Sequence, residues 1–286
     1  MEKIEISSTG LQRLRTALDN CISIKTNDSV TSIEFKYFFC GERPLTVFAF
    51  CYKGDIYFYD KGAAITELKN KCGENWEAVA KKLCAMTNTH LENGNVLVGY
   101  CPEKGSLGLY FSRFLQAVTH IANADLTKEL IIDDLCDEYS DDNILTAEPD
   151  APPPDLSNLF INTNAIIYNE QNGIIIPTDL CYYGNCTTAT VMITADTKGN
   201  IVFGEYSNSY GEGNTFEYFL FEYDSLLDYK EHIFMLAERF GGCELTKENI
   251  SLSCSPQSYD HLVSFLFKFI YMNMYLSQLN RFICLR

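Results

Sequence analysis

Four residues in the first quarter of the chain have types and spacing suited to phosphodiester chemistry. Glu34 and Lys36 flank Phe35 in an alternating stretch, so on a strand both side chains share one face. Asp55 and Asp60 bracket the apolar run Ile56–Tyr59, which reads as a neighbouring strand. Carboxylates on adjacent strands can hold Mg²⁺, and a nearby lysine can stabilise charge developing on a phosphate. A metal-dependent nuclease is therefore the enzymatic alternative. Alternating charges on a solvated sheet face have the same pattern, and the net charge of -16 disfavours a substrate as negative as nucleic acid. The solvated-face reading is preferred. It carries no catalytic residue, no metal, no cofactor and no direct binding of nucleic acid.

The other chemistry-bearing residues argue the same way. His90, His120, His232 and His261 form no HxH, HExxH or HxxxH pattern. His120 and His261 fall on helical stretches, where a surface or satisfied core role is expected. There is no GxxxxGK[ST] loop, and Gly211-Glu212-Gly213 places an acid where a phosphate would have to approach. The 12 cysteines include no CxxC; the closest pair, Cys181 and Cys186, encloses Tyr-Tyr-Gly-Asn. Structural zinc sites draw on tighter pairs, so reduced thiols acting as small core hydrophobes are expected, Cys51 among them. The first 20 residues carry no basic stretch followed by an apolar run, so a cytoplasmic chain without a secretory signal is expected.

Charge locates the boundaries. Residues 1–128 carry 15 bases and 14 acids, residues 129–155 ten acids and no base, and residues 156–286 seven bases and 14 acids. The acidic run ends in Pro152-Pro153-Pro154, where missing N–H donors stop a helix or ladder. The chain therefore reads as an N-terminal lobe at 1–130, an acidic Pro-rich linker at 131–156 and a C-terminal lobe at 157–286. With 47% hydrophobic residues, both lobes can build a core.

The lobes echo each other. TVFAFCYKGDIYFYD (46–60) matches ATVMITADTKGNIVFGEY (189–206): an alternating strand, Lys-Gly-Asp or Lys-Gly-Asn, then a second strand opening on Ile. Gly beside Asp or Asn tolerates positive φ, the signature of a hairpin turn. A helical stretch at Trp76–Met86 has its counterpart around Leu226–Phe240. LENGNVLVGY (91–100) resembles LTKENISLSC (245–254), and SLGLYFSRFLQAVTHIA (106–122) lines up with SYDHLVSFLFKFIYMNM (258–274). Leu11–Asn20 reads as a further helix, 32–39 as a half-buried strand, and Asn172-Gly173 as another hairpin turn. The expected fold class is α+β, with two lobes that are diverged duplicates, each an antiparallel sheet packed with helices.

Over residues 46–125 the first lobe resembles a family of uncharacterised bacterial and phage domains. The residues that carry the resemblance are Ile56-Tyr57-Phe58-Tyr59-Asp60-Lys61-Gly62 through Glu67-Leu68, a strand ending in an Asp-x-Gly turn before a helix. The resemblance implies no activity that can be placed on particular residues. It implies a context, that of phages, plasmids and defence islands in a bacterial host cell.

Two surfaces are candidates for partners. Asp133, Asp134, Asp137, Glu138, Asp141 and Asp142 would attract a protein with a basic surface, and Tyr206, Tyr210, Phe216, Tyr218 and Phe219 would supply short-range contacts. Residues 259–286 form a helix apolar on nearly all sides, too short in its apolar run to span a membrane. Either the second lobe covers it, or Phe265, Phe269, Met272, Tyr275 and Leu279 form a face for a second subunit, which makes a homo-oligomer an expectation. The function expected is that of a non-enzymatic acidic protein-binding protein, an inhibitor or modulator of a bacterial nucleic-acid enzyme.

Overall fold

The computed structural model describes residues 4–126, 144–157, 159–178, 190–208, 214–217, 219–220, 235, 238–239, 243–245 and 249–284. At 205–208, 214–217, 219–220, 243–245, 249–251 and 276–284 it describes the backbone alone. The protein is α+β, with two antiparallel sheets. Its contacts divide into two compact units. A central unit runs Ile22–Asn158, and a terminal unit joins Met1–Cys21 to Leu159–Arg286. The first helix, α1 (Ser8–Asp19), thus belongs with the C-terminal half, where the sequence reading had placed it in a lobe ending at 130.

In the central unit the strands are β1 (Ile22–Asn27), β2 (Val30–Cys40), β3 (Arg43–Tyr52), β4 (Asp55–Tyr59), β5 (Thr89–Glu92) and β6 (Val96–Cys101), in sheet order β1-β2-β3-β4-β6-β5. Every pair is antiparallel. The β3–β4 hairpin closes at Tyr52 opposite Asp55. Its two turn residues, Lys53 and Gly54, have φ of 53° and 83°, both positive as the twist of a two-residue hairpin requires. Between β4 and β5 come α2 (Ala63–Cys72) and α3 (Trp76–Thr87), and α4 (Leu107–Ala122) follows β6.

Strand alternation decides what the helices cover. Leu45, Val47 and Ala49 on β3, Phe58 on β4 and Leu97 on β6 face α2, α3 and α4 and are buried. Phe58 sits with its ring centroid 5.2 Å from Phe111 and 6.1 Å from Phe114 of α4. Gly99 on β6 makes that approach possible, since a Cβ there would lie 3.0 Å from Phe114 Cδ2.

In the terminal unit the strands are β7 (Ile167–Asn169), β8 (Gly173–Pro177), β9 (Thr190–Ala195), β10 (Ile201–Asn208), β11 (Asn214–Glu217), β12 (Phe219–Leu220), β13 (Cys243–Leu245) and β14 (Asn249–Cys254). β7, β8, β9, β10 and β14 are neighbours in that order, while β11 pairs with β10 and β12 with β14. Leu252 of β14 pairs with both Phe203 of β10 and Cys243 of β13, so β13 lies beyond β14. The last helix is α5 (Tyr259–Cys284).

α5 explains where α1 goes. A helix apolar nearly all round must be covered on nearly all sides. α1 packs against it and buries Leu14, Ala17 and Leu18. Tyr259 Oη, at the start of α5, accepts from Glu5 N at 3.3 Å, and Arg15 Nη2 donates to Ile166 O at 2.5 Å. Among the described residues, no helix is long and apolar enough to cross a membrane.

Candidate protein-binding surfaces

The four residues of the nuclease alternative are held in separate places. Glu34 is exposed on β2 and pairs with Lys25 Nζ at 3.0 Å, while Lys36 lies 4.9 Å over the Tyr37 ring. Asp55 opens β4 and accepts from Glu103 N at 3.0 Å. Asp60 lies past the other end of β4, about five residues or ~16 Å away along the strand. It is 3% exposed, with its carboxylate taken up by backbone N–H groups of the next turn. Burial raises its pKa, and hydrogen bonds from Ala64, Gly62 and Leu97 oppose that rise. The fold gives these side chains an ion pair, a ring contact, a loop anchor and a helix cap. Among the described residues, no group of three His, Cys, Asp or Glu could hold a metal ion.

The six acids from Asp133 to Asp142, with Tyr210 and Tyr218, lie outside the described residues. Tyr206, Phe216 and Phe219 are described in backbone only: Tyr206 pairs with Phe216 between β10 and β11, and Phe219 with Ile250. On α5, Phe269, Met272 and Tyr275 are buried and Phe265 is half-buried; the Leu279 side chain lies outside the described set. Those three side chains are covered by this chain itself. His120 is buried on α4 and His261 exposed on α5.

The acidic linker is not a free spacer over its described part. Leu145 N donates to Glu92 Oε1 at 2.6 Å. Asp150 is fixed twice: its N–H donates to Cys51 O at 3.2 Å, and its Oδ2 accepts from Lys53 N at 2.5 Å. Thr31 Oγ1 then donates to Pro154 O at 3.1 Å. Prolines and acids that read as a linker are here hydrogen-bonded to three strands and a turn of the central sheet.

A second surface was missed by the sequence reading. Alternation puts Phe48, Phe50 and Tyr52 of β3, Tyr57 and Tyr59 of β4 and Tyr100 of β6 on the sheet face away from the helices. The register brings them into ranks. Phe48 stacks on Tyr59 at 5.2 Å, Phe50 on Tyr57 at 5.6 Å and Tyr57 on Tyr100 at 6.3 Å. Tyr100 continues to Tyr110 at 6.3 Å. Cations border the rings: Lys61 Nζ is 3.8 Å from the Phe48 centroid, Lys53 Nζ 4.9 Å from Tyr52 and Arg113 Cζ 5.4 Å from Tyr110. Burial raises the Tyr59 phenol pKa, so its hydroxyl stays protonated as a donor. The signal in the sequence was the alternation at 46–59, which identifies strands without saying which face the helices leave bare.

Comparison with family models, with curated proteins and with solved structures finds no match for the chain.

Proposed function

We propose that the chain is a non-enzymatic protein-binding protein whose acidic segment engages a partner with a basic surface. The observation that carries this reading is the anchoring of Asp150 to Cys51 and Lys53. Ten carboxylates between Glu129 and Asp155, with no base among them, are thereby tied at one end to a folded surface. Charge presented from a fixed point steers an oppositely charged partner without the full entropic cost of ordering a free tether. The partner suited to it is the nucleic-acid-binding face of a bacterial enzyme, which the chain would inhibit or modulate by occupying it.

The test is binding measured at low and high salt with host proteins recovered from lysate. The expected result is a basic partner retained at low salt and lost at high salt. Replacing Asp133, Asp134, Asp137, Glu138, Asp141 and Asp142 by the corresponding amides should weaken binding at least tenfold. Unchanged affinity in that variant removes the basis of the reading. Incubation with DNA and RNA plus Mg²⁺ should give no cleavage; cleavage abolished by Glu34→Ala would restore the nuclease alternative.

The two units are also proposed to be diverged copies of one plan. Supporting this is the strand order, β1-β2-β3-β4-β6-β5 in one and β7-β8-β9-β10-β14-β13 in the other once β11 and β12, which have no counterpart, are set aside, each with a helix after the last strand of its chain path. An experimental structure with a different order in the terminal unit would refute it.

A further inference from the structure

The ring-bearing face of the central sheet is already occupied. Phe50 and Val98 lie on it, on the side away from the helices, yet they are only 4% and 0% exposed. The path of Ile144–Asp150 shows which segment of the unit lies there. Glu92 stands at one end of the edge strand β5, on the same face as the rings, and holds Leu145 N. Five residues later Asp150 is held by Cys51 and Lys53, at the opposite end of β3. β6 and β4 lie between those anchors. The lateral distance is three strand spacings of about 4.8 Å each, and the length of β6 must be covered as well. Five residues reach at most ~18 Å even when fully extended. The diagonal is about 22 Å, so the Glu92 side chain and the hydrogen bonds at both anchors must supply the rest, which leaves no length for a detour round the sheet, and the helix side is filled by α2, α3 and α4. The short path between the anchors runs diagonally over the ring face, beginning with a single 3-10 turn at Ile144–Thr146.

We propose that this face is a peptide-docking surface closed by the chain's own Ile144–Asp150 strap, and that the partner it takes in exchange is an extended, acidic, proline-containing segment of another protein. The inference shares the Asp150 anchor with the reading above but concerns a different surface and a ligand of the opposite charge. The resident segment states the ligand's chemistry: apolar Ile144-Leu145, then Glu148-Pro149-Asp150. Lys53, Lys61 and Arg113 border the rings with the complementary charge. A proline-containing extended segment suits an aromatic surface because little conformational freedom remains to be lost on docking. The strap is also imperfectly held. Glu92 is 3% exposed, and while Oε1 accepts from Leu145, Oε2 has no hydrogen-bond partner among the described residues. A buried acceptor left unsatisfied makes this anchor costly to maintain and favours exchange.

The test uses the full chain and a fluorescent synthetic peptide of residues 144–157, with binding read by anisotropy. Asp150→Ala removes the acceptor for Lys53 N, and Leu145→Pro, a second and independent variant, removes the donor to Glu92. Hydrogen exchange at the Lys53 amide reports strap release in the first, and exchange at the Ala147 amide in the second. The expected result is faster exchange in each variant, with peptide binding at least tenfold tighter than to the unaltered chain. A peptide carrying lysine at the Glu148 and Asp150 positions should bind neither. Faster exchange without peptide binding overturns the proposal, as does equal binding to altered and unaltered chains. Unchanged exchange in both variants overturns it too, because the strap is then not held by these bonds.

Discussion

The Asp60 carboxylate accepts the Ala64 N–H through Oδ2 at 2.6 Å and the Gly62 N–H through Oδ1 at 2.9 Å. It thereby satisfies donors at the start of α2, which begins on Gly62 in the left-handed region (φ 84°) with no side-chain cap of its own. Asp60→Ala leaves those donors buried and unpaired and should cost about 1–3 kcal/mol in a denaturant titration. Its pH dependence has a definite sign. Burial raises the folded pKa above the ordinary aspartate value, so between the two values the folded state holds a proton that the unfolded chain has released. Stability from this group therefore rises as pH falls through the folded pKa, and levels off below the unfolded one. Asp60→Asn should lack that rise. Parallel pH profiles for the two proteins would show that Asp60 does not titrate differently on folding.

The cysteines provide a second check on the core. Burial pushes the Cys84 thiol up to about 12, with the Asp60 charge adding to it, and Cys40 likewise reaches about 12 through burial, Asp60 and Glu67. Cys254 is raised by burial to about 12 against a lowering by Lys268. Thiolate is the reactive form, so all three should resist alkylation at pH 8. Cys51 is half-buried at the end of β3, where burial and then the Asp150 charge raise its thiol pKa while the side chain stays partly open to solvent. Peptide mapping after brief alkylation should find Cys51 modified at least tenfold faster than Cys40, Cys84 or Cys254. Equal rates would mean that the core opens on the timescale of labelling.

Local rules made much of this fold legible. Asn172-Gly173 and Lys53-Gly54 between apolar runs forecast the two hairpins, and helical spacing forecast α3, α4 and α5. β1 escaped because Ile22–Asn27 is exposed at five of its six residues and has no buried face to impose alternation. The pairing of α1 with α5 escaped for another reason: it joins Glu5 to Tyr259, 254 residues apart, and no local pattern encodes a partner at that distance. The strap was hidden by composition. Acids and prolines signal solvent exposure on average, whereas Asp150 is held by one backbone carbonyl and one backbone N–H. The ring face fell between these cases, since Phe48 and Tyr59 were visible as strand residues while their stacking depends on a register set by the whole sheet.

α1 tests the division into units. Leu14 is fully buried between α1 and its surroundings in the terminal unit. Leu14→Ala should cost 2–5 kcal/mol or so, the range for a leucine removed from a packed core. Glu34→Ala, at an exposed ion pair with Lys25, should change stability by no more than about 0.5 kcal/mol. Both are measured by urea titration. A Leu14→Ala cost below that of Glu34→Ala would mean that α1 does not dock on α5.

Gly173 and Gly199 separate backbone strain from steric closure. Both have positive φ, 77° and 82°. A Cβ on Gly199 would meet no atom of the described residues within 4 Å, so Gly199→Ala should cost only the left-handed backbone, about 1–2 kcal/mol. At Gly173 the Cβ would collide with the Ile193 carbonyl oxygen on β9. That oxygen is backbone and has no rotamer by which to move away. Relief would require β8 to shift against β9, breaking the register in which Ile174 faces Ile193. Gly173→Ala should therefore destabilise by more than Gly199→Ala, on the order of a further 1–3 kcal/mol. Equal midpoints for the two variants in thermal or urea unfolding would show that β8 and β9 are not packed in this register.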